Sequence, residues 1–258
     1  MQFSYPSGLQ SIELDGIITL WRSGGHGIKP AEDVCFPTHP NVAVPVPFFG
    51  NIGSKKPLIF TIGSNPSDRE FLDSNGNALT VPRFFDPASY SGRYSAGTIF
   101  TACNEYFKNN PYKGWFGEKG GSKIEGFLNL QGASYYDTEE YKYQAVHLDL
   151  MPFPTKEKFI KFKKDHPKET SYYIERWGLP LIRSLISDYR PKLVICVSED
   201  ACTTLLGDPA GTATTVGKTF KYYKGTICNA KAFGTSVYYP NPYGSTPKDW
   251  EKDIIPLI

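Results

Sequence analysis

The sequence predicts an α/β domain: three layers, α/β/α, around a central, mainly parallel sheet of about four strands. Three observations predict it. Short apolar runs closed by Gly or Pro alternate with stretches of helical period, the pattern of strands joined by crossover helices. The chain has 258 residues, which suits one generous domain, and its 40% apolar content supplies a core. Neither an internal repeat nor a low-complexity tract breaks the alternation.

Residues 1–55 are irregular and rich in Pro and Gly ("FPTHPNVAVPVPFFGNIG"). They are expected to form an N-terminal extension packed on a single domain spanning 1–258, with one helix near Gln10–Leu20. "PLIFTIG" (Pro57–Gly63) reads as a buried strand, apolar and stopped by Gly. The polar stretch after it contains Asn75-Gly76, a turn signal. Ala96–Asn110 reads as a helix capped by Ser95. Tyr143–Thr155 is the second strand, closed by two prolines. "EKFIKFKKDHPKE" is a basic helix, and Ser171–Pro191 a helix interrupted at Gly178-Leu179-Pro180. "KLVICVS" (Lys192–Ser198) is the third strand and "EDACTTLLGD" the helix after it. "KTFKYYKGTIC" reads as an antiparallel or edge strand, Thr235–Ser245 as the last strand and its loop, and "PKDWEKDIIPLI" as a terminal helix.

Composition narrows the function classes. Net charge is +2, from 28 basic and 26 acidic residues, so only a local basic face would mark a nucleic-acid partner. The five cysteines are scattered with no C-x-x-C pair, which points to reduced thiols in a cytoplasmic protein. The same spacing excludes a four-cysteine zinc site or an iron–sulfur cluster. His26, His39, His147 and His166 stand in no metal-ligand spacing. No G-x-x-x-x-G-K-[ST] or G-x-S-x-G is present. "RSGGHG" (Arg22–Gly27) is glycine-rich but follows no strand. No apolar run approaches the length of a membrane span, and nothing resembles a signal peptide.

In parallel sheets, ligands bind beyond the carboxyl ends of the strands. Three predicted strands end in polar, backbone-special sequences: Gly63-Ser64-Asn65-Pro66, Asp149-Leu150-Met151-Pro152 and Pro240-Asn241-Pro242-Tyr243-Gly244. The first, "GSNPS", resembles the first motif of the uracil-DNA glycosylase superfamily, which reads Gly-x-Asn-Pro in two of its branches. "PNPYG" is similar to the second motif, Asn-Pro-Ser-Gly in the mismatch-specific uracil/thymine branch. "DLMP" is similar to the strand end where the superfamily carries its base-reading residue, usually Asn. The resemblance covers roughly residues 55–250.

That resemblance implies a monofunctional DNA glycosylase, a monomer that binds DNA, flips out a pyrimidine and leaves an abasic site, with no metal or other cofactor. Asn65 would hold the hydrolytic water; an amide cannot act as a general base near neutral pH. Asn241 would stabilise the base as negative charge develops, an effect of about 2.7–4 kcal/mol for a preorganised donor. Ser64 would line the base pocket. Phe85, with Phe84 and Tyr90 as alternates, would stack on the base, and each of these rings is equally at home in a core. Ser67 and Arg69 would grip phosphate. Tyr243, Gly244 and Ser245 would enter the duplex, with Tyr243 as the wedge. Arg83, Arg93 and the lysines of 156–168 are further phosphate candidates.

Asp149 departs from the family pattern. An Asn can both give to and accept from uracil, whereas an ionised Asp only accepts and suits the N4 amine of cytosine. One bacterial defence enzyme of the superfamily removes glucosylated 5-hydroxymethylcytosine from phage DNA, and the expectation leans toward a 5-modified cytosine of that kind. The alternatives are a uracil or mismatched-thymine glycosylase of base-excision repair, a DNA-binding module without catalysis, and an α/β hydrolase unrelated to DNA.

Overall fold

Leu58–Gly63 is a strand, β1, with all six residues buried, as the uninterrupted apolar run dictates for a strand covered on both faces. The computed structural model describes residues 16–17, 19–21, 28–39, 42–84, 96–120, 123–136, 139–207, 214–216 and 220–235. They fall into two interleaved units. One comprises Met1–Phe49, Asn65–Pro111 and Asp149–Asp188; the other comprises Gly50–Ser64, Tyr112–Leu148 and Tyr189–Ile258.

The second unit carries the sheet. Its strands are β1, β2 (Ala133–Ser134), β3 (Tyr143–Asp149), β4 (Leu193–Cys196), β5 (Thr214–Val216), β6 (Phe220–Ile227) and β7 (Ala230–Thr235), in the order β2-β3-β1-β4-β7-β6-β5. β2 with β3, β1 with β4 and β4 with β7 are parallel. β6 is antiparallel to both β7 and β5. The α/β class is therefore the one the alternation predicts, a mostly parallel sheet with helices around it, but among the described residues the strands number seven rather than four. Two of the additions, β2 and β5, are two or three residues long, too short to leave a periodic signal.

Among the described residues the last parallel strand is β7, Ala230–Thr235, which the sequence reading did not place; the expected strand over Thr235–Ser245 lies beyond Thr235 outside the described residues. β7 is entered through a two-residue hairpin. Cys228 (φ 48°) and Asn229 (φ 67°) both adopt the left-handed region, which turns β6 directly into β7 with Ile227 opposite Ala230.

The helices, in chain order, are α1 (Ala31–Cys35), α2 (Ala96–Asn104), α3 (Lys113–Phe116), α4 (Ile124–Leu130), α5 (Phe159–Asp165), α6 (Pro167–Tyr173), α7 (Leu179–Tyr189) and α8 (Glu199–Leu206). α2 is shorter than its expected span and passes into a 3-10 turn over Tyr106–Lys108. The basic helix splits in two because Pro167 starts α6 at its first turn, where the missing N–H costs nothing. The break expected at Gly178-Leu179-Pro180 takes the form of a π-helical turn, Ile174–Gly178, that runs without interruption into α7.

In the second unit, α8 packs on the sheet against β1, β4, β6 and β7. Ser198 caps it by accepting from the Ala201 N–H (3.1 Å). The β2 edge is organised by the fully buried Glu125. Its carboxylate accepts from Ser134 Oγ (2.5 Å), Asn129 Nδ2 (2.7 Å) and the Tyr135 N–H (2.9 Å). Glu125→Gln turns one accepting oxygen into a donor facing donors. It is expected to lower stability by about 1–3 kcal/mol, measured by urea unfolding, with the slope of the transition unchanged.

In the first unit, the segment before β1 is not a loose covering. Ala43, Val44, Val46, Phe48 and Phe49 are buried. Phe48 meets Phe100 edge-on (5.3 Å between centroids) and Phe49 meets Tyr106 edge-on (4.9 Å). The Val46 N–H donates to Pro152 O (2.7 Å), and Tyr173 Oη donates to Lys29 O (3.0 Å). The expected helix near Gln10–Leu20 is seen in part, at residues 16–17 and 19–21.

Candidate functional site

The chain enters the sheet at β1, moves to β3 on one side, and then returns to β4 on the other. Strand order reverses beside β1, the position at which open α/β sheets bind ligands. Ser64, just past β1, donates from Oγ to the Oγ of Ser198, just past β4 (3.0 Å), and both are buried. The Ser64 hydroxyl expected to line a base pocket is therefore tied to the cap of α8.

From Asn65 onward the exit of β1 belongs to the first unit, as does Asp149 at the end of β3. Within that unit the two exits run side by side. Ser67 and Thr155 form a parallel bridge, and the Thr155 N–H donates to Pro66 O (3.3 Å). Asn65 is clamped from both directions. Its Nδ2 donates to Thr155 Oγ1 (2.7 Å) and to Pro66 O (2.8 Å), while Thr155 Oγ1 donates onward to Glu157 O (2.7 Å). Both amide hydrogens are thus engaged, which fixes the amide orientation and leaves Oδ1 to accept. Asn65 can orient a water by accepting a hydrogen bond from it; it cannot remove the proton.

Asp149 is 3% exposed. A second buried carboxyl, Glu70, lies within electrostatic reach of it. Glu70 sits on the 3-10 turn Asp68–Glu70, which Ser67 caps by accepting from the Arg69 N–H (3.1 Å). Tyr106 Oη donates to Glu70 Oε2 (2.5 Å), and Arg83 Nε lies 4.0 Å from the same oxygen. Burial pushes the Glu70 carboxyl up to about 8; the negative charge of Asp149 pushes the same way, and Tyr106 and Arg83 oppose without prevailing. Sequence reasoning did not single out Glu70 or Tyr106. "SDREF" reads as an exposed polar loop, and nothing local signals that position 70 faces inward.

The other expected site residues fare differently. Phe84 is buried in a cluster of rings, stacked on Phe71 (5.7 Å, 18°) and tilted against Phe49 (5.6 Å) and Tyr106 (4.9 Å), so packing is its visible role. Ser67 donates to Asp68 Oδ1 (2.9 Å) besides capping. Arg69 Nη1 folds back onto Asp73 O, and Asp73 supports the Asn75-Gly76 turn through the N–H groups of Asn75 and Asn77. The Asn77 bond, first among several, holds the Asp73 carboxyl below its ordinary range. Arg83 donates to Arg69 O (3.0 Å) and Asn110 O (2.6 Å) as well as facing Glu70, an internal brace rather than an outward cation. Phe85, Tyr90, Arg93, Asn241, Tyr243, Gly244 and Ser245 lie outside the described residues.

Directly after Thr155, the partner of Asn65, the basic stretch is open to solvent. Lys156, Lys158 and Lys164 are exposed, whereas Lys161 is bridged to Glu157 (2.7 Å) and Asp165 (2.5 Å). Cys35, Cys103, Cys196 and Cys202 are buried and Cys228 is exposed; none is in a disulfide. Among the described residues no group of His, Cys, Asp and Glu is arranged to hold a metal ion, and no helix is long and apolar enough to cross a membrane. No protein-family model matches the chain, and no curated protein matches it.

Proposed function

We propose that the chain is a monofunctional DNA glycosylase. It hydrolyses the N-glycosidic bond of a flipped pyrimidine, a 5-modified cytosine such as glucosylated 5-hydroxymethylcytosine in the first instance, and leaves an abasic site. The observation that carries this reading is the Asn65–Thr155 clamp, six residues past Asp149, which sets an oriented amide oxygen and a buried carboxylate on adjoining loops of one unit. Asn65 Oδ1 accepts from the attacking water. Water oxygen bonds to the sugar C1′, the bond to the base nitrogen breaks with its electron pair leaving on the base, and the water proton passes to solvent. The Asp149 carboxylate accepts from the N4 amine and so selects cytosine over uracil. Lys156, Lys158 and Lys164 follow the flanking phosphates.

The test is incubation with DNA carrying uracil, mismatched thymine, or plain, hydroxymethylated or glucosylated cytosine, scored by alkali-sensitive breaks. Breaks at the modified cytosine are expected. Breaks at uracil alone would transfer the reading to a repair glycosylase, and binding without breaks would make it a non-catalytic module. Replacing Lys156, Lys158 and Lys164 together by Ala should make the logarithmic salt dependence of DNA binding shallower by about 3, measured by fluorescence anisotropy.

A further inference from the structure

Two of the five thiols meet in the second unit, and the chemistry just described uses neither. Cys196 ends β4, and Cys202 stands in α8, which packs on β4; both are buried. The Cys196 thiol is hydrogen-bonded to the Cys202 side chain. The Cys202 S–H donates in turn to Cys196 O, 3.9 Å away. Across the sheet Cys196 is paired with Gly234 of β7, and a Cβ on Gly234 would lie 2.5 Å from Cys202 Sγ. The Cys202 sulfur thus occupies the space that a side chain at position 234 would take, directly beside the end of β4. Cys35 and Cys103 are also buried, but among the described residues no second thiol adjoins either of them.

Two adjoining thiols direct oxidation to one end point. A peroxide transfers one oxygen atom to the first sulfur, which becomes a sulfenic acid, and the rest of the peroxide leaves as water. The neighbouring thiol attacks that sulfur, an S–S bond forms, and the sulfenic oxygen leaves as a second water. The peroxide is reduced and the two thiols are oxidised. A sulfenic acid with no thiol beside it is instead carried on to sulfinic acid. Burial selects the reagent. Hydrogen peroxide is small enough to enter during a local opening, whereas oxidised glutathione must bring two tripeptides up to the attacking sulfur.

We propose that Cys196 and Cys202 form a redox site, in which a small peroxide links the two in a reversible disulfide that ties α8 to the end of β4. The ring so closed contains Ser198, the cap of α8. Ser198 Oγ accepts from Ser64 Oγ at the exit of β1 and from the Ala201 N–H within the helix. The link therefore holds that cap in place. The proposal is independent of the glycosylase reading, and each can fail without the other.

The test uses the full chain carrying Cys228→Ser, which removes the exposed thiol. The folded protein is treated with hydrogen peroxide, then denatured, alkylated and cleaved after Glu199, which lies between the two cysteines. Mass spectrometry is expected to find the Cys196 and Cys202 fragments linked, with the loss of two hydrogens, and separated again by dithiothreitol, while Cys35 and Cys103 remain alkylated. In Cys202→Ser the link is lost and Cys196 is carried on to sulfinic acid. Hydrogen exchange at the Ala201 amide should be slower in the linked chain than in the reduced one. Cys196 and Cys202 left as thiols while Cys35 or Cys103 is oxidised, or each oxidised to sulfinic acid without a link, would overturn the proposal. So would a pair linked as readily by oxidised glutathione as by peroxide, or a link that leaves Ala201 exchange unchanged.

Discussion

Gly178→Ala is expected to melt far below the wild type, because a methyl group at that position has nowhere to go. A Cβ built on Gly178 would lie 1.6 Å from Leu150 O, 2.7 Å from Leu150 C and 3.6 Å from Met151 N. All three are main-chain atoms, so no side-chain rotation relieves the overlap. Leu150 and Met151 are themselves fully buried, and Gly178 ends the π turn that feeds α7. The loop after β3 and the helix must therefore separate by more than an ångström. Overpacking of a core typically costs about 1–3 kcal/mol, and a backbone-on-backbone clash belongs at or above the upper end. For a chain of this size, about 3 kcal/mol corresponds to a fall in melting temperature of about 6–12 °C. Differential scanning calorimetry reads it directly. A variant that melts within about 2 °C of the wild type, well short of that fall, would mean that α7 does not seat on Leu150. The displaced residue directly follows Asp149, so the same substitution should also disturb the candidate site.

How much of this was legible in the sequence depends on whether the signal was local. β1, β3 and β4 are apolar runs bounded by Gly, Pro or a charged residue, and period and punctuation find them. β7 escaped because its hairpin turns on Cys228-Asn229 and lacks the glycine that usually announces two residues with positive φ. The place of Asn65 at a strand exit was readable. Its clamp was not, because Thr155 lies ninety residues away. Glu70 and Glu125 illustrate the same limit. A glutamate in a polar stretch reads as exposed, and only partners brought in by the fold, Tyr106 for one and Ser134 with Tyr135 for the other, make burial tolerable. Phe84 shows the opposite case: an aromatic is as good a core residue as a stacking platform, and sequence carries no information to separate the two.

Asn65→Asp is expected to destabilise the first unit, although under the proposed glycosylase reading a carboxylate there would be a candidate to activate water. In this chain the side chain at 65 is a donor on two sides. A carboxylate there would set an oxygen about where Nδ2 now lies, 2.8 Å from the carbonyl oxygen of Pro66 with no hydrogen between them. Thr155 could turn its hydroxyl toward the new oxygen, but Glu157 O would then lose its donor. A stranded polar group costs about 1–3 kcal/mol, and the half-buried setting of Asn65 moderates the sum to about 2 kcal/mol at pH 7. Below the carboxyl pKa the side chain regains a hydrogen to donate, so the deficit should shrink as pH falls toward about 4, the ordinary range of an aspartate. Thermal unfolding at neutral and acidic pH measures both. Asn65→Ala removes the accepting oxygen altogether, and single-turnover base release should drop by about 100-fold, the scale associated with a misplaced reactant. Because the two substitutions act on different atoms, they separate the structural role of Nδ2 from the chemical role proposed for Oδ1. An Asn65→Asp chain as stable as the wild type at neutral pH, and quicker at releasing the base, would mean that the amide is not held by Thr155 and Pro66.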